Sequence, residues 1–139
     1  MLLNILFNRS KLPIFGNILY LCTVKTYHTM VKVYFVDCDL EEYVREGRSN
    51  VKPYKDYARD RIFTKKLQDV VSVMTSVDVA SDLSNYSFLK YERLKHAYSG
   101  CCSVRIMNNR VERLIFRETE DGLEITIIDL NDTHYGNKK

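Results

Sequence analysis

The chain has 139 residues, with hydrophobic residues at 45% and charged residues at 28%, which is the composition of a single packed domain and not of a disordered or collagen-like segment. No run of about 18 apolar residues occurs, so no membrane-spanning helix is expected. The net charge of +3 lies wholly in residues 1–29, where Arg9, Lys11 and Lys25 meet no acid. The remaining 18 basic and 18 acidic residues cancel. Affinity for a polyanion must therefore come from a local patch and not from overall charge.

Residues 1–29 read apart from the rest, with apolar runs around Leu2–Phe7 and Ile14–Leu21. The positive charges follow the first run, and no small-residue cleavage site follows Leu21, so the pattern of a secretory signal is missing. The segment is expected to be an N-terminal extension of uncertain role, with Met30 as the working start of a domain covering residues 30–139. The four cysteines (Cys22, Cys38, Cys101 and Cys102) form no C-x-x-C pair, and adjacent Cys101 and Cys102 do not suit an ordinary disulfide. Reduced thiols in a cytoplasmic protein are the simplest expectation.

From Met30 the elements follow in order. Val31–Val36 is β-branched and aromatic and predicts a first strand. Asp37 and Asp39 can cap a short helix over Leu40–Glu46, which Gly47 ends. A longer helical stretch runs from near Pro53 to about Ser76. Its apolar stripe Phe63, Leu67, Val70, Val71, Met74 and Val77 has the spacing of a buried face and predicts core packing. Strands are then predicted over Tyr91–His96, Cys101–Met107, Glu112–Glu118 and Leu123–Leu130. They are separated by Ser99-Gly100, Asn108-Asn109 and the hairpin dipeptide Asp121-Gly122. Helices first and strands after predict an α+β fold, in which an N-terminal strand and helices pack on a small antiparallel sheet.

Polar chemistry concentrates between Tyr91 and Tyr135. Alternation along the strand puts Glu92 and Leu94 on one face and Arg93 and Lys95 on the other. A sheet face bearing several Lys and Arg side chains can hold a phosphodiester. With a carboxylate, imidazole or phenol in reach, such a face can cleave RNA without metal. A base takes the ribose 2′-hydroxyl proton, cations stabilise the dianionic transition state, and an acid protonates the leaving 5′-oxygen. The bland alternatives are structural. Arg113 would pair across strands with Glu118 or Glu124, Glu92 would pair with Arg93 or Lys95, and the basic strands would be solvated faces. His96 with Cys101 and Cys102 lacks a fourth ligand at zinc spacing, so no metal is expected.

Tyr91-Glu92-Arg93-Leu94-Lys95, Ser99-Gly100, Ser103-Val104-Arg105-Ile106, Arg113-Leu114-Ile115-Phe116 and the final His134-Tyr135 occur in this order. The series resembles the RelE/ParE toxin superfamily, closest to HigB-type killer proteins, with a YoeB-like C-terminal His-Tyr. The resemblance covers about Met30 to Tyr135. It implies the toxin of a type II toxin–antitoxin module that cuts mRNA on the ribosome, with no cofactor. A cognate antitoxin, the ribosome and mRNA are the implied partners. Carried over, Glu92 matches the general base, and Arg113 matches the arginine that stabilises the transition state. His134 matches the acid or base of the tail, and Tyr135 a group that orients or stacks on substrate. Lys95 and Arg105 match phosphate contacts. Two extra residues between Ile106 and Arg113 leave Arg110 or Arg113 as the arginine at the phosphate. Two other activities remain open: ParE-like inhibition of gyrase without catalysis, and a degenerate toxin that only binds antitoxin.

Overall fold

The computed structural model describes residues 30–132. The expectations for residues 1–29, and those for His134 and Tyr135, lie outside the described residues.

Strand β1 spans Lys32–Phe35, and helix α1 spans Cys38–Glu46. The helix starts at Asp37, whose Oδ1 accepts the backbone N–H groups of Asp39 at 2.8 Å and Leu40 at 3.3 Å. It ends at Gly47, where φ is 73° and the N–H bonds back to the Tyr43 carbonyl at 2.8 Å. That left-handed cap is open to glycine without a Cβ penalty. The Tyr54 hydroxyl donates to the other carboxylate oxygen of Asp37 at 2.6 Å.

Burial alone would raise the Asp37 pKa, but the hydrogen bonds from Tyr54, Asp39 and Leu40 outweigh it and hold the carboxyl below its ordinary 3.8. A carboxylate depressed in the folded state stabilises fully above its unfolded pKa, and that stabilisation is lost as pH falls through the folded value. Asp37→Ala is accordingly expected to cost about 1–2 kcal/mol at pH 7. The gap to wild type should narrow in urea melts taken progressively below about pH 4.

The stretch expected as one helix from Pro53 to Ser76 is two, α2 over Tyr54–Tyr57 and α3 over Arg61–Ser76. The break has a local cause. Asp60 is extended, with φ −90° and ψ 97°, and its Oδ1 accepts the Phe63 N–H at 3.0 Å, so a fresh helix starts there. The predicted stripe holds: Phe63, Leu67 and Met74 are fully buried, and Val70, Val71 and Val77 nearly so. Helix α1 is tied alongside by Tyr43 Oη and Thr64 Oγ1 at 2.9 Å, and by Gln68 Nε2 donating to the Val44 carbonyl at 2.9 Å.

Two short 3₁₀ turns, Ala80–Asn85 and Ser87–Leu89, lead to β2, Glu92–Arg93. The predicted strand over Tyr91–His96 is thus much shorter. Lys90 at φ 48° and His96 at φ 60° turn the chain on both sides, and a 3₁₀ turn occupies His96–Tyr98. Strand β3 is Cys102–Arg105, β4 is Arg113–Glu118 and β5 is Glu124–Asn131. At the Asp121-Gly122 hairpin Gly122 has φ 74°, and Asp121 Oδ1 accepts the Leu123 N–H at 3.0 Å.

The sheet order is β1-β5-β4-β3-β2. The fold is α+β as expected, with β2 to β5 antiparallel, but β1 lies parallel to β5, pairing Lys32 with Glu124 through Phe35 with Ile127. The sheet is therefore mixed and not antiparallel throughout. Alternation along a strand reports which face is buried and carries no information on a neighbour's direction. Val104, Leu114, Phe116, Ile125 and Ile127 form the floor of the main core with the helices. On the far face, Leu94, Cys101 and Ile115 make a small second cluster with Tyr98 and Ile128. A bulge in β5 lets Ile115 face Asp129 while Phe116 faces Ile127. No helix among the described residues is long and apolar enough to cross a membrane.

Candidate functional site on the far face of the sheet

The registers of β2 to β5 write out the far face as two rows. One row runs Asn131, Arg113, Arg105, and the next runs Asp129, Ile115, Ser103, Glu92. The β5 bulge helps set this grid, because the extra residue at Ile128 keeps Asn131 in line with Arg113.

Arg113 is the centre. Only 3% exposed, its guanidinium donates from Nε to Ser103 Oγ at 2.9 Å and from Nη2 to the Lys90 carbonyl. Its Nη2 also lies 3.5 Å from Glu92 Oε1. A buried guanidinium is costly unless hydrogen-bonded and paired, and here it is both. Glu92 is half-exposed, so its carboxylate faces Arg113 while remaining open to solvent. The pairings expected on structural grounds fall elsewhere. It is Arg93 that reaches Glu118, at 3.0 Å on the other side of β2, while Glu92 takes Arg113.

Arg105 stands directly across from Arg113 on β3. Two cations opposite each other on one face repel, by about 0.2–1 kcal/mol in ordinary pairs. Arg105 Nη1 reaches the Asn108 carbonyl at 3.4 Å, but its Nε is buried without a hydrogen-bond partner among the described residues. A groove of about 500 Å³ opens beside this pair, lined by Arg105, Asn108, Asn109, Arg110, Val111 and Arg113. Three arginines around one opening suit an anion with several oxygens.

Arg110 differs from Arg113 in what already holds it. It donates to Asp60 at 2.7 Å and forms a fork with Glu112 at 3.0 and 2.9 Å, and it stacks over Phe63 with 4.5 Å to the ring centre. The hydrogen bonds to Glu112 first, with Asp60 adding, raise its pKa further. It therefore straps the β3–β4 loop to the start of α3. Arg110→Ala should destabilise the domain by about 2 kcal/mol in urea melts, since it strands the nearly buried Glu112 carboxylate.

Lys95 is exposed on the turn after Leu94 and is not among the residues lining the groove. Among the predicted residues, the structure thus brings Glu92, Arg105 and Arg113 together, with Arg110 at the groove's rim and Lys95 apart. Sequence reasoning missed Ser103, Asn131, Tyr98 and the Lys90 carbonyl. Asn131, 1% exposed, donates from Nδ2 to Tyr98 Oη at 3.2 Å. The Tyr57 hydroxyl donates to Asp132 at 3.3 Å, at the end of the described chain. A serine between Cys102 and Val104 on a predicted strand, two positions before Arg105, was the available signal for Ser103.

Cys101 and Cys102 point to opposite faces. Cys101 lies 3.8 Å from Arg117 Nη2, while Cys102 lies 3.4 Å from the Tyr91 hydroxyl. Burial first raises the Cys102 thiol, which keeps it protonated at neutral pH. Cys38, Cys101 and Cys102 are free thiols, and no cluster of three or more His, Cys, Asp or Glu suited to a metal occurs among the described residues.

No protein-family model matches the chain, and no curated protein sequence matches it. Solved structures do resemble it in chain path. The YoeB/ParE toxin from Agrobacterium tumefaciens is 18% identical, with 73% of this chain and 98% of that chain covered at a TM-score of 0.44. The heterotetrameric YoeB–YefM toxin–antitoxin complex from Staphylococcus aureus is 18% identical, covering 73% and 94% at 0.40. A further YoeB–YefM complex from Staphylococcus aureus is 19% identical, with the same coverage and TM-score. At these values the likeness transfers no chemistry, and the function is argued from the far-face residues.

Proposed function

We propose that the chain is the toxin of a type II toxin–antitoxin pair and acts as a metal-independent endoribonuclease on ribosome-bound mRNA. The observation that carries this reading is the pairing of Glu92 with Arg113, 3.5 Å apart, with Arg105 directly across from Arg113 beside the groove. A base and two cations on one face are what 2′-hydroxyl attack on a phosphodiester needs, and a surface that only binds a protein has no use for the base.

In this scheme Glu92, open to solvent on one side, takes the 2′-hydroxyl proton as that oxygen attacks phosphorus. Arg113 and Arg105 meet the charge that builds on the non-bridging oxygens. The phosphorus–5′-oxygen bond breaks, and the leaving oxygen takes a proton from an acid, the role assigned to His134. Tyr135 orients the substrate or stacks on a base. The product carries a 2′,3′-cyclic phosphate or, after hydrolysis, a 3′-phosphate. Arg113 is assigned to the phosphate because its guanidinium stands beside Glu92, the base of this scheme, and across from Arg105, whereas Arg110 is held by Asp60 and Glu112. A cognate antitoxin is the expected protein partner, covering the cationic groove with an acidic or apolar segment.

The test uses the full chain in a purified translation system, with mRNA carrying a single 2′-deoxy nucleotide at the mapped cut. Cleavage on the ribosome that disappears at the deoxy position supports the reading. Intact mRNA alongside inhibited supercoiling by gyrase would replace it with the ParE-like activity, and intact mRNA with active gyrase would leave a protein that only binds antitoxin.

A further inference from the structure

On the reading that Arg113 meets the scissile phosphate, we propose that Ser103 and the backbone carbonyl of Lys90 are positioning groups that lock the Arg113 guanidinium. A guanidinium is a planar fork whose donors leave in fixed directions, so two acceptors on different nitrogens fix both its plane and its rotation in that plane. Ser103 Oγ takes Nε at 2.9 Å, and the Lys90 carbonyl takes Nη2. The two acceptors come from different parts of the fold, the middle of β3 and the turn before β2. They therefore hold the side chain against the sheet and against the loop at once.

Both acceptors are themselves rigid. Ser103 is fully buried and sits between Glu92 and Ile115 in the sheet. Lys90 adopts φ 48° and ψ 50°, a left-handed conformation unfavourable to a residue with a Cβ. Such conformations persist where the surroundings impose them, and they concentrate at functional sites. Here Leu89 on one side is fully buried, Tyr91 on the other packs against the core, and the carbonyl between them is aimed at Arg113. Of these three partners of Arg113, Glu92 is half-exposed, while Ser103 and the Lys90 carbonyl are held by the sheet and by the turn. Arg113 therefore does not follow Glu92 when that carboxylate takes a proton, and it is already placed when substrate arrives.

Ser103→Ala removes one oxygen from the brace and little volume. The experiment follows the Arg113 Nε–H by nitrogen-15 NMR in the full-length chain, together with single-turnover cleavage of ribosome-bound mRNA, for wild type, Ser103→Ala and Ser103→Thr. The expected result is a slowly exchanging Nε–H in wild type, at least tenfold faster exchange in Ser103→Ala, and return towards wild type in Ser103→Thr. The cleavage rate should fall about tenfold or more in Ser103→Ala with KM within twofold, measured well below the variant's melting temperature, which itself drops because the buried Nε–H loses its acceptor. Unchanged exchange in Ser103→Ala overturns the brace, as does altered exchange with an unchanged cleavage rate. A wild-type chain that cuts nothing but shows the exchange pattern keeps the brace and removes the nuclease reading instead. A Ser103→Thr chain that fails to fold leaves the comparison of wild type with Ser103→Ala to decide.

Discussion

Arg113→Lys is expected to lower single-turnover cleavage of ribosome-bound mRNA by about 10²–10³-fold, the usual loss when one donor to a developing oxyanion is removed. The charge survives in this variant, so the effect isolates geometry. Lysine cannot reproduce the fork that reaches Ser103, Lys90 and Glu92 together. Glu92→Gln should lose about 10²–10⁴-fold for a different reason, because the amide cannot accept the 2′-hydroxyl proton. If the two residues act on one transition state, the double variant will fall little below the worse single one, since neither half works alone. Folding should suffer less than activity. Glu92 can turn its exposed carboxylate to water, while Ser103 Oγ and the Lys90 carbonyl lose a partner at a cost of about 1–3 kcal/mol. The measurement is rate at saturating substrate beside a urea melt for each variant. Arg113→Lys and Glu92→Gln chains that cleave at half the wild-type rate or better would remove both residues from the chemistry.

The largest stability effect is expected at Phe116. It is fully buried at the centre of β4, it faces the helices with Leu114, Ile125 and Ile127, and its ring lies 6.2 Å from that of Tyr91. Phe116→Ala should cost about 3–5 kcal/mol, because the neighbours on a paired strand cannot collapse into the space. Against a total of about 5–15 kcal/mol for a domain of this size, the variant should melt some tens of degrees lower or fail to fold at 37 °C. Val36→Ala is the matched control. Val36 is 67% exposed just past β1, and its loss should move the midpoint by less than about 0.5 kcal/mol. Equal melting temperatures for the two variants would contradict the placement of the core.

Most helices and strands, and the side of each that is buried, were legible in the sequence alone, although the strand expected over Tyr91–His96 shrank to Glu92–Arg93. The 3.6-residue stripe from Phe63 to Val77 is the face that α3 and its end bury, and the alternation at Glu92 and Leu94 put both on the face where they are found. Asp37, Gly47 and Gly122 announced their caps and turn through chemistry confined to a few residues. These features were legible because helix and strand periods and caps are local, decided within about one turn or one pleat. The break at Asp60 was equally local, and it was masked by a continuous apolar stripe.

What stands next to what came from packing between distant segments. Strand β1 lies parallel to β5 from the far end of the chain, a pairing no local period encodes. The choice between Arg110 and Arg113 rested on two extra residues in a loop. The tertiary structure adds that Asp60, fifty residues away, holds Arg110 while Arg113 stands beside Glu92, and the proposal of Arg113 for the phosphate rests on that contrast. Ser103 entered the site because the β2–β3 register sets it opposite Glu92, and the β5 bulge brought Asn131 into line with Arg113. Shifting a register by one residue sends every side chain of a strand to the other face. A site assembled across four strands is therefore written in their pairings, which arise from packing between distant segments and not from any one stretch of sequence.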